Sequence, residues 1–270
     1  MRRATIHQAY FIPWLGYFSK LAFSDIFVVL DNVQFRKRHY FDRTRIVNMH
    51  GEIRWLSLPV GENFRKKCYE VYVKTPDDTY IDKIIRTIRL SYAKARFYER
   101  EWDDLRESLL IPLRMSRNLV RIDVEIIKNI INLVGINMPS IRFASEVTKD
   151  FYDDPTQRII EICEKLEINA VIIGGGKSLA VHNWRRVVEH GVSVYQQDYL
   201  SKHPIYEQSR RKWAGFQKGL SIIDAILNVG REKTREFLQH SMYTPVLLDL
   251  ERDYINFQRR MPMSVKDLQG

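Results

Sequence analysis

The 270-residue sequence predicts an α/β fold, a doubly wound and mostly parallel sheet of Rossmann-like or nucleotidyltransferase-like type carrying a helical insertion. Three observations predict it. Short runs such as IFVVL (26–30) and AVII (170–173) are apolar throughout, the signature of strands covered on both faces. The segments between such runs repeat apolar residues at helical spacing. Strands and helices alternate through short connections, so that successive strands lie parallel and each crossover is a helix.

The first strand spans 4–8 (ATIHQ) and enters an aromatic turn, Tyr10-Phe11-Ile12-Pro13. Proline suits the start of a helix and not its interior, which places a helix at 14–23. Strand 26–30 follows and ends at Asp31, completing the strand-helix-strand opening of a parallel sheet. A basic, loop-rich stretch runs to about Asn48, after which 54–59 and 69–73 are expected to pair as strands. The middle is helical. Tyr80, Ile81, Ile84, Ile85, Ile88 and Tyr92 mark one stripe, and Trp102, Leu105, Leu109, Leu110 and Leu113 mark a second. Residues 122–134 are apolar enough to be buried on more than one side. These helices, within 78–136, are expected to form a subdomain inserted into a single α/β domain spanning 1–270. Alternation then resumes: strand 140–143, helix 155–166 with Pro155 at its start, strand 170–173, a glycine loop, helix 179–189 and strand 192–195. A loop-like DYLSKHPIYEQ (198–208) leads into helices at 220–227 and 232–239.

The apolar fraction of 45% and charged fraction of 28% are those of an ordinary soluble protein. No apolar run approaches the ~18–20 residues of a transmembrane helix. The N-terminus MRRATIHQAYFIPW lacks the apolar region and cleavage site of a signal peptide. Two cysteines, Cys68 and Cys163, cannot build a disulfide framework, and Cys163 falls on an apolar helical face as a buried thiol. A cytoplasmic location is therefore expected. The net charge of +10 points to polyanionic partners, whether nucleic acid, phosphorylated substrates or an anionic membrane face. Its local clusters, Arg36-Lys37-Arg38, Arg65-Lys66-Lys67 and Arg210-Arg211-Lys212, fit solvated surface as well as binding.

The stretch VIIGGGKSLAVHNW (171–184) imitates a phosphate-binding loop but fails on spacing. A Walker loop needs a glycine five residues before the Gly-Lys-Ser glycine, and that position is Val171. A softer anion site survives in Gly174, Gly175, Gly176 and Lys177, between a strand and a helix; the competing account is a solvated loop lysine. Metal binding is not expected, since the seven histidines include no H-x-x-x-H or H-E-x-x-H pair.

Several stretches together resemble the WbqC-like proteins. The run IHQAYFIPWLGYFSKLAFSDIFVVLDNVQF (6–35) is similar to that family's IHQPNYFPWLGYF opening and the SD, FV, LD and VQF positions that follow. RTRI (43–46), WLSLPV (55–60), SYAKARFY (91–98) and TQRIIEIC (156–163) continue the likeness in order, and HPIYEQ (203–208) with GLSIIDAILNVG (219–230) completes it. The sequence departs from the pattern at Ala9 and Tyr10, and again at Tyr40, Asp42 and Thr44, where the family's W-x-N-R-N-R segment lies. The resemblance implies a bacterial or archaeal protein encoded among genes for O-antigen or other surface polysaccharides. It implies little about the reaction.

In a doubly wound sheet, ligands bind where strand ends meet the reversal of strand order, which implicates His7, Gln8, Asp31 and residues 174–177 together. His7 is the best-placed acid or base, because imidazole titrates near neutrality; its competing account is a hydrogen-bonded histidine at a strand end. Asp31 fits a base, a sugar-hydroxyl ligand or a helix cap equally, with Gln34 extending from the same loop. Arg43 and Arg45 alternate along an extended segment and so share a face, as a phosphate clamp would require. Trp14-Leu15-Gly16-Tyr17 occupies the place of the His-x-Gly-His turn in nucleotidylyltransferases and related ligases. It keeps the glycine that lets backbone approach phosphate and lacks both imidazoles. His203, Tyr206 and Gln208 form either a binding cluster or a tight turn, and Ser221 with Asp224 fits a helix cap and its partner.

These candidates support a transferase of surface-polysaccharide or nucleotide-sugar biosynthesis, with acyl or aminoacyl transfer to an amino sugar and His7 as base. The alternatives are an ATP-dependent nucleotidyltransferase or ligase, and a tRNA-binding protein or aminoacyl-tRNA-dependent transferase. The expected ligands are accordingly a nucleotide-linked or phosphorylated small molecule, with ATP, an acyl or aminoacyl donor, or tRNA as co-substrate.

Overall fold

The structure, a computed structural model, describes residues 1–250 apart from 38, 62, 64, 75–77, 150–151, 176–177 and 210–214. Its strands in chain order are β1 (Arg3–His7), β2 (Ile26–Val29), β3 (Arg43–Val47), β4 (Ile53–Ser57), β5 (Ser140–Phe143), β6 (Ala170–Gly174), β7 (Ser193–Gln197) and β8 (Val246–Leu247). Six of them form one sheet in the order β5-β2-β1-β6-β7-β8. The first five of that order run parallel, and β8 joins β7 antiparallel. The chain winds outward from β1 through β2 to β5, returns to β6 beside β1, and continues to β7. Strand order therefore reverses between β1 and β6, the place where a doubly wound sheet opens to ligands.

The residues of β2 show why the strand is apolar throughout. Phe27 and Val29 pack into the larger of two buried clusters, and Ile26 and Val28 into the smaller one. Successive side chains of a strand point to opposite faces, so an IFVV run needs cover on both sides. The cover comes from α1 (Leu15–Ala22), α2 (Thr79–Tyr92), α3 (Tyr98–Met115) and α4 (Leu119–Val134) on the larger side. α5 (Ala144–Val147), α6 (Pro155–Lys165), α7 (Ser178–Val181) and α8 (Trp184–Glu189) lie in the second half of the chain, with α6 and α8 lining the smaller cluster. α9 (Ile222–Gln239) returns to the larger cluster, where it meets α1, α3 and α4.

Three expectations are corrected. Residues 43–47, expected to be loop, form β3, which pairs with β4 as a separate antiparallel hairpin. Thr44, Ile46 and Val47 are buried while Arg43 and Arg45 are half-open, so two arginines hid a strand whose inner face is apolar. Residues 69–73 do not pair as a strand with 54–59; Cys68–Glu70 is a single 3-10 turn closed by Glu70 on the Lys67 backbone N–H. The helix expected at 179–189 is interrupted between α7 and α8, where the Asn183 side chain accepts from the Arg186 N–H and starts α8. The two helices expected at 220–227 and 232–239 are present as the two arms of α9, separated by a kink at Gly230, whose φ of +83° is left-handed. Buried Glu101 holds the bend: it accepts from the Arg231 backbone N–H at 3.3 Å and from Arg231 Nε at 2.6 Å. Cys163 is buried in the smaller cluster, as its helical face requires. No helix among the described residues is long and apolar enough to cross a membrane.

Candidate functional site

β1 ends at His7, opposite Val29 of β2. On its other side the ladder to β6 runs through Arg3–Ala170 and Ala4–Val171, several residues short of the strand ends. A Cβ built on Gly174, the last residue of β6, would meet no atom within 4 Å among the described residues. At the reversal point His7 and Gly174 therefore end neighbouring strands whose pairing stops short of them.

His7 Nδ1 lies 2.9 Å from the Gln8 carbonyl oxygen, which also accepts from the Tyr17 hydroxyl at 2.8 Å. A carbonyl can only accept, so Nδ1 carries the proton and Nε2 keeps its lone pair. Tyr10 and Tyr17 meet the imidazole edge-on, with ring centroids at 4.7 and 5.2 Å. Burial lowers the His7 pKa to about 3, and the Lys20 ammonium nearby adds to the effect. His7 is therefore a neutral hydrogen-bond acceptor at ordinary pH.

From His7 a series of rings leads outward. Tyr10 stacks on Tyr40 at 5.4 Å, and Tyr40 meets Trp55 at 5.5 Å. The Arg43 guanidinium lies 3.9 Å over the Trp55 ring, which is 44% exposed. Arg45 stands directly opposite Trp55 in the hairpin register, two residues from Arg43 on the same face. The two arginines do share a face, as their alternation predicts, and that face is joined through rings to His7.

The turn between β1 and α1 is fastened at three points. Phe11 N–H donates to the Tyr40 carbonyl, the Ile12 carbonyl accepts from the hydroxyls of Thr44 and Ser221, and Pro13 accepts from the Ile222 N–H. Ile12 has a φ of +43°, which a β-branched residue adopts only when its surroundings impose it. Gly16 is explained by packing: a Cβ there would stand 2.3 Å from the Trp14 indole. The space that a nucleotidylyltransferase turn keeps for phosphate is filled by Trp14, which also stacks on His203 at 6.3 Å.

The remaining sequence candidates lie away from this series of rings or at its edges. Asp31 accepts from the Ser145 backbone N–H at 2.9 Å and the Ser145 hydroxyl at 2.6 Å, so both oxygens tie β2 to the start of α5. Burial raises its pKa while these bonds lower it. Gln34 is exposed and bridges to Lys67 through the backbone. His203 donates from Nδ1 to the Pro204 carbonyl and accepts at Nε2 from Gly219 N–H. Tyr206 and Gln208 both donate to Asp224 at 2.7 Å, and Asn228 binds Ser209. The HPIYEQ and GLSIIDAILNVG motifs are therefore the two halves of one latch, with Ser221 capping α9 at Ile223 N–H. Gly175 is exposed, with its Cα hydrogen facing the Gln196 side chain. Gly176 and Lys177 lie outside the described residues.

Two groups escaped the sequence reading. Lys20 of α1 is 8% exposed, and its ammonium lies 5.8 Å over the Tyr17 ring. Burial lowers its pKa to about 8. A lysine in SKLA reads as an exposed helical residue, and its one signal is its place three residues after Tyr17 on a helix between two apolar strands. Asp123 of α4 is also buried, with its pKa raised by burial and by Asp42. Among the described residues no group of three or more His, Cys, Asp or Glu converges on a metal-sized site.

Comparison of the sequence with known proteins finds a family and a relative. The profile of the WbqC-like protein family matches residues 8–236. "Uncharacterized protein Rv1507c" of Mycobacterium tuberculosis is 27% identical over 239 residues, spanning 86% of this chain and 96% of the relative. No solved structure matches.

Proposed function

The chain belongs to the WbqC-like protein family, and on that premise we propose that it is a transferase whose site lies at the C-terminal ends of β1 and β6. The observation that carries the reading is His7: a neutral imidazole, its Nδ1 proton committed to the Gln8 carbonyl and its Nε2 lone pair without a hydrogen-bond donor among the described residues. A group so oriented accepts a proton from an attacking nucleophile once a bound anion raises its pKa toward neutrality.

The reaction that fits is acyl or aminoacyl transfer to the amine of a nucleotide-linked amino sugar in surface-polysaccharide assembly. As the amine nitrogen bonds to the acyl carbon, His7 Nε2 takes its proton. The acyl carbon's bond to the donor's leaving oxygen or sulfur then breaks, and that atom receives the proton back. A negative charge on the substrate raises the His7 pKa toward the range in which this exchange is efficient. The Arg43–Trp55 stack and Tyr40 offer a planar, cationic platform for the nucleotide base.

One observation favours a second reading. The same stack is exposed on a protein of net charge +10, a combination that suits the unpaired 3′ end of an aminoacyl-tRNA donor. An ATP-dependent nucleotidyltransferase or ligase gains less support, since Trp14 covers the glycine that such a turn holds open.

A thermal-shift screen against UDP- and dTDP-amino sugars, acyl-CoAs, ATP and tRNA tests the reading. A shift with an amino-sugar nucleotide, and loss of its acylation in His7→Gln, is the expected result. A shift with ATP alone together with pyrophosphate release contradicts it.

A further inference from the structure

α1 brings Lys20 under the same ring that holds His7. Tyr17 contacts the imidazole at 5.2 Å and the Lys20 ammonium at 5.8 Å, and its hydroxyl is engaged by the Gln8 carbonyl. Lys20 is more than nine-tenths buried, no hydrogen bond or ion pair of its ammonium is found among the described residues, and the nitrogen is not among the fully enclosed unpaired polar atoms, so it keeps an edge that a ligand can reach. Burying an ammonium is costly unless something pairs with it, and a ring face offsets only part of that cost. With a pKa of about 8 the group is still mainly protonated at neutral pH. Burial keeps His7 neutral and raises the pKa of Tyr10 and Tyr17, and the acidic group nearest the Tyr17 ring, Asp123, has its pKa raised by burial and by Asp42. At the neighbouring strand end, among the described residues, no atom lies within 4 Å of the side-chain position of Gly174.

We propose that Lys20 is the phosphate-binding residue of this site, its ammonium pairing with a phosphoryl oxygen of the substrate beside His7. The inference rests on the reading that the substrate is nucleotide-linked or phosphorylated, and it names the group that recognises that phosphate. A single buried cation with no ion-paired carboxylate among the described residues selects an anion, and a diphosphate linkage places two phosphoryl groups between a base on the hairpin platform and a sugar at His7.

The test is calorimetric titration of the wild-type protein and Lys20→Met with inorganic pyrophosphate, UDP and uridine. The expected result is that Lys20→Met weakens pyrophosphate and UDP at least tenfold and leaves uridine unchanged. Its melting temperature should be equal to or above that of the wild type, because the substitution removes a buried charge. If both proteins bind pyrophosphate and UDP equally, Lys20 only snorkels past Tyr17 and the inference fails while the phosphorylated-substrate reading stands. If the wild type binds neither anion, that reading fails and takes the inference with it. Should Lys20→Met not fold, the Lys20 Cε resonance of the wild-type protein, assigned with Lys20→Arg, reads the same contact. A rise of its pKa on adding pyrophosphate supports the assignment, and an unmoved pKa in a protein that binds pyrophosphate overturns it.

Discussion

The indole of Trp14 lies over Gly16 so closely that a methyl group on Gly16 would stand 2.3 Å from a ring carbon. Gly16→Ala is therefore expected to lower stability by about 1–3 kcal/mol, the usual cost of forcing extra volume into a packed site. Urea denaturation measures it. Unchanged stability with weakened nucleotide binding would show instead that the glycine serves a ligand.

Asp31 and Ser145 form the joint between β2 and α5. Asp31→Ala should cost about 1.5–3 kcal/mol, as expected for losing hydrogen bonds to a charged acceptor. A double-mutant cycle with Ser145→Ala should show coupling between the two, while turnover per folded molecule is kept. Loss of turnover at full stability would return Asp31 to the chemistry.

Glu101 of α3 is fully buried and bonded to its neighbour Arg100 and, across to α9, to Arg231 just past the Gly230 bend. Glu101→Ala removes the charge-assisted bonds that tie α3 to Arg231, which keeps Asp104 and is partly exposed, and should cost about 1.5–3 kcal/mol. A melting temperature near that of the wild type would mean that the bend is held by Gly230 and Phe97 alone.

The pH dependence of stability carries the mark of His7. Its pKa falls from 6.5 unfolded to about 3 folded, so the unfolded chain binds the proton first as pH drops. Stability attributable to His7 is thus present above about pH 6.5 and is lost on descending toward pH 3, at up to ~1.4 kcal/mol per pH unit. His182 contributes in the same direction, and Asp224, raised to about 6, in the opposite one. Comparing wild type with His7→Gln cancels those groups. The difference should be flat above pH 7 and vary below 6; a difference flat throughout would mean that His7 is solvated.

Trp55→Ala should weaken binding of a nucleotide ligand about tenfold through loss of base stacking, worth ~1–3 kcal/mol per base, with little effect on stability because the ring is 44% exposed. Equal binding of nucleotide and of base-free pyrophosphate in wild type and variant would remove the hairpin from the site.

What the sequence revealed follows the range of its physical signals. Apolar runs such as IFVV report two-sided burial directly, and the stripes of α2, α3 and α4 report their buried faces, so the parallel sheet and its helices were legible. β3 was not, because Arg43 and Arg45 dominate a five-residue strand whose inner face carries only Thr44 and Ile46. Asp31 was ambiguous for a different reason: its partner Ser145 is 114 residues away, and nothing local announces it. His7 and the arginine pair were legible as residues. Their connection through Tyr10, Tyr40 and Trp55 was not, since it depends on how a hairpin packs against a turn. Lys20 was invisible because burial of a lysine is a tertiary event with no sequence mark of its own.

The most direct measurement is the Cε1 resonance of His7 in histidine-labelled protein, assigned with His7→Gln and followed through a pH titration with and without a UDP- or dTDP-amino sugar. The account predicts a pKa far below 6.5 in the free protein, rising toward neutrality when the amino-sugar nucleotide binds. Binding that leaves the His7 resonance and its pKa unmoved would place the substrate elsewhere and contradict the central claim.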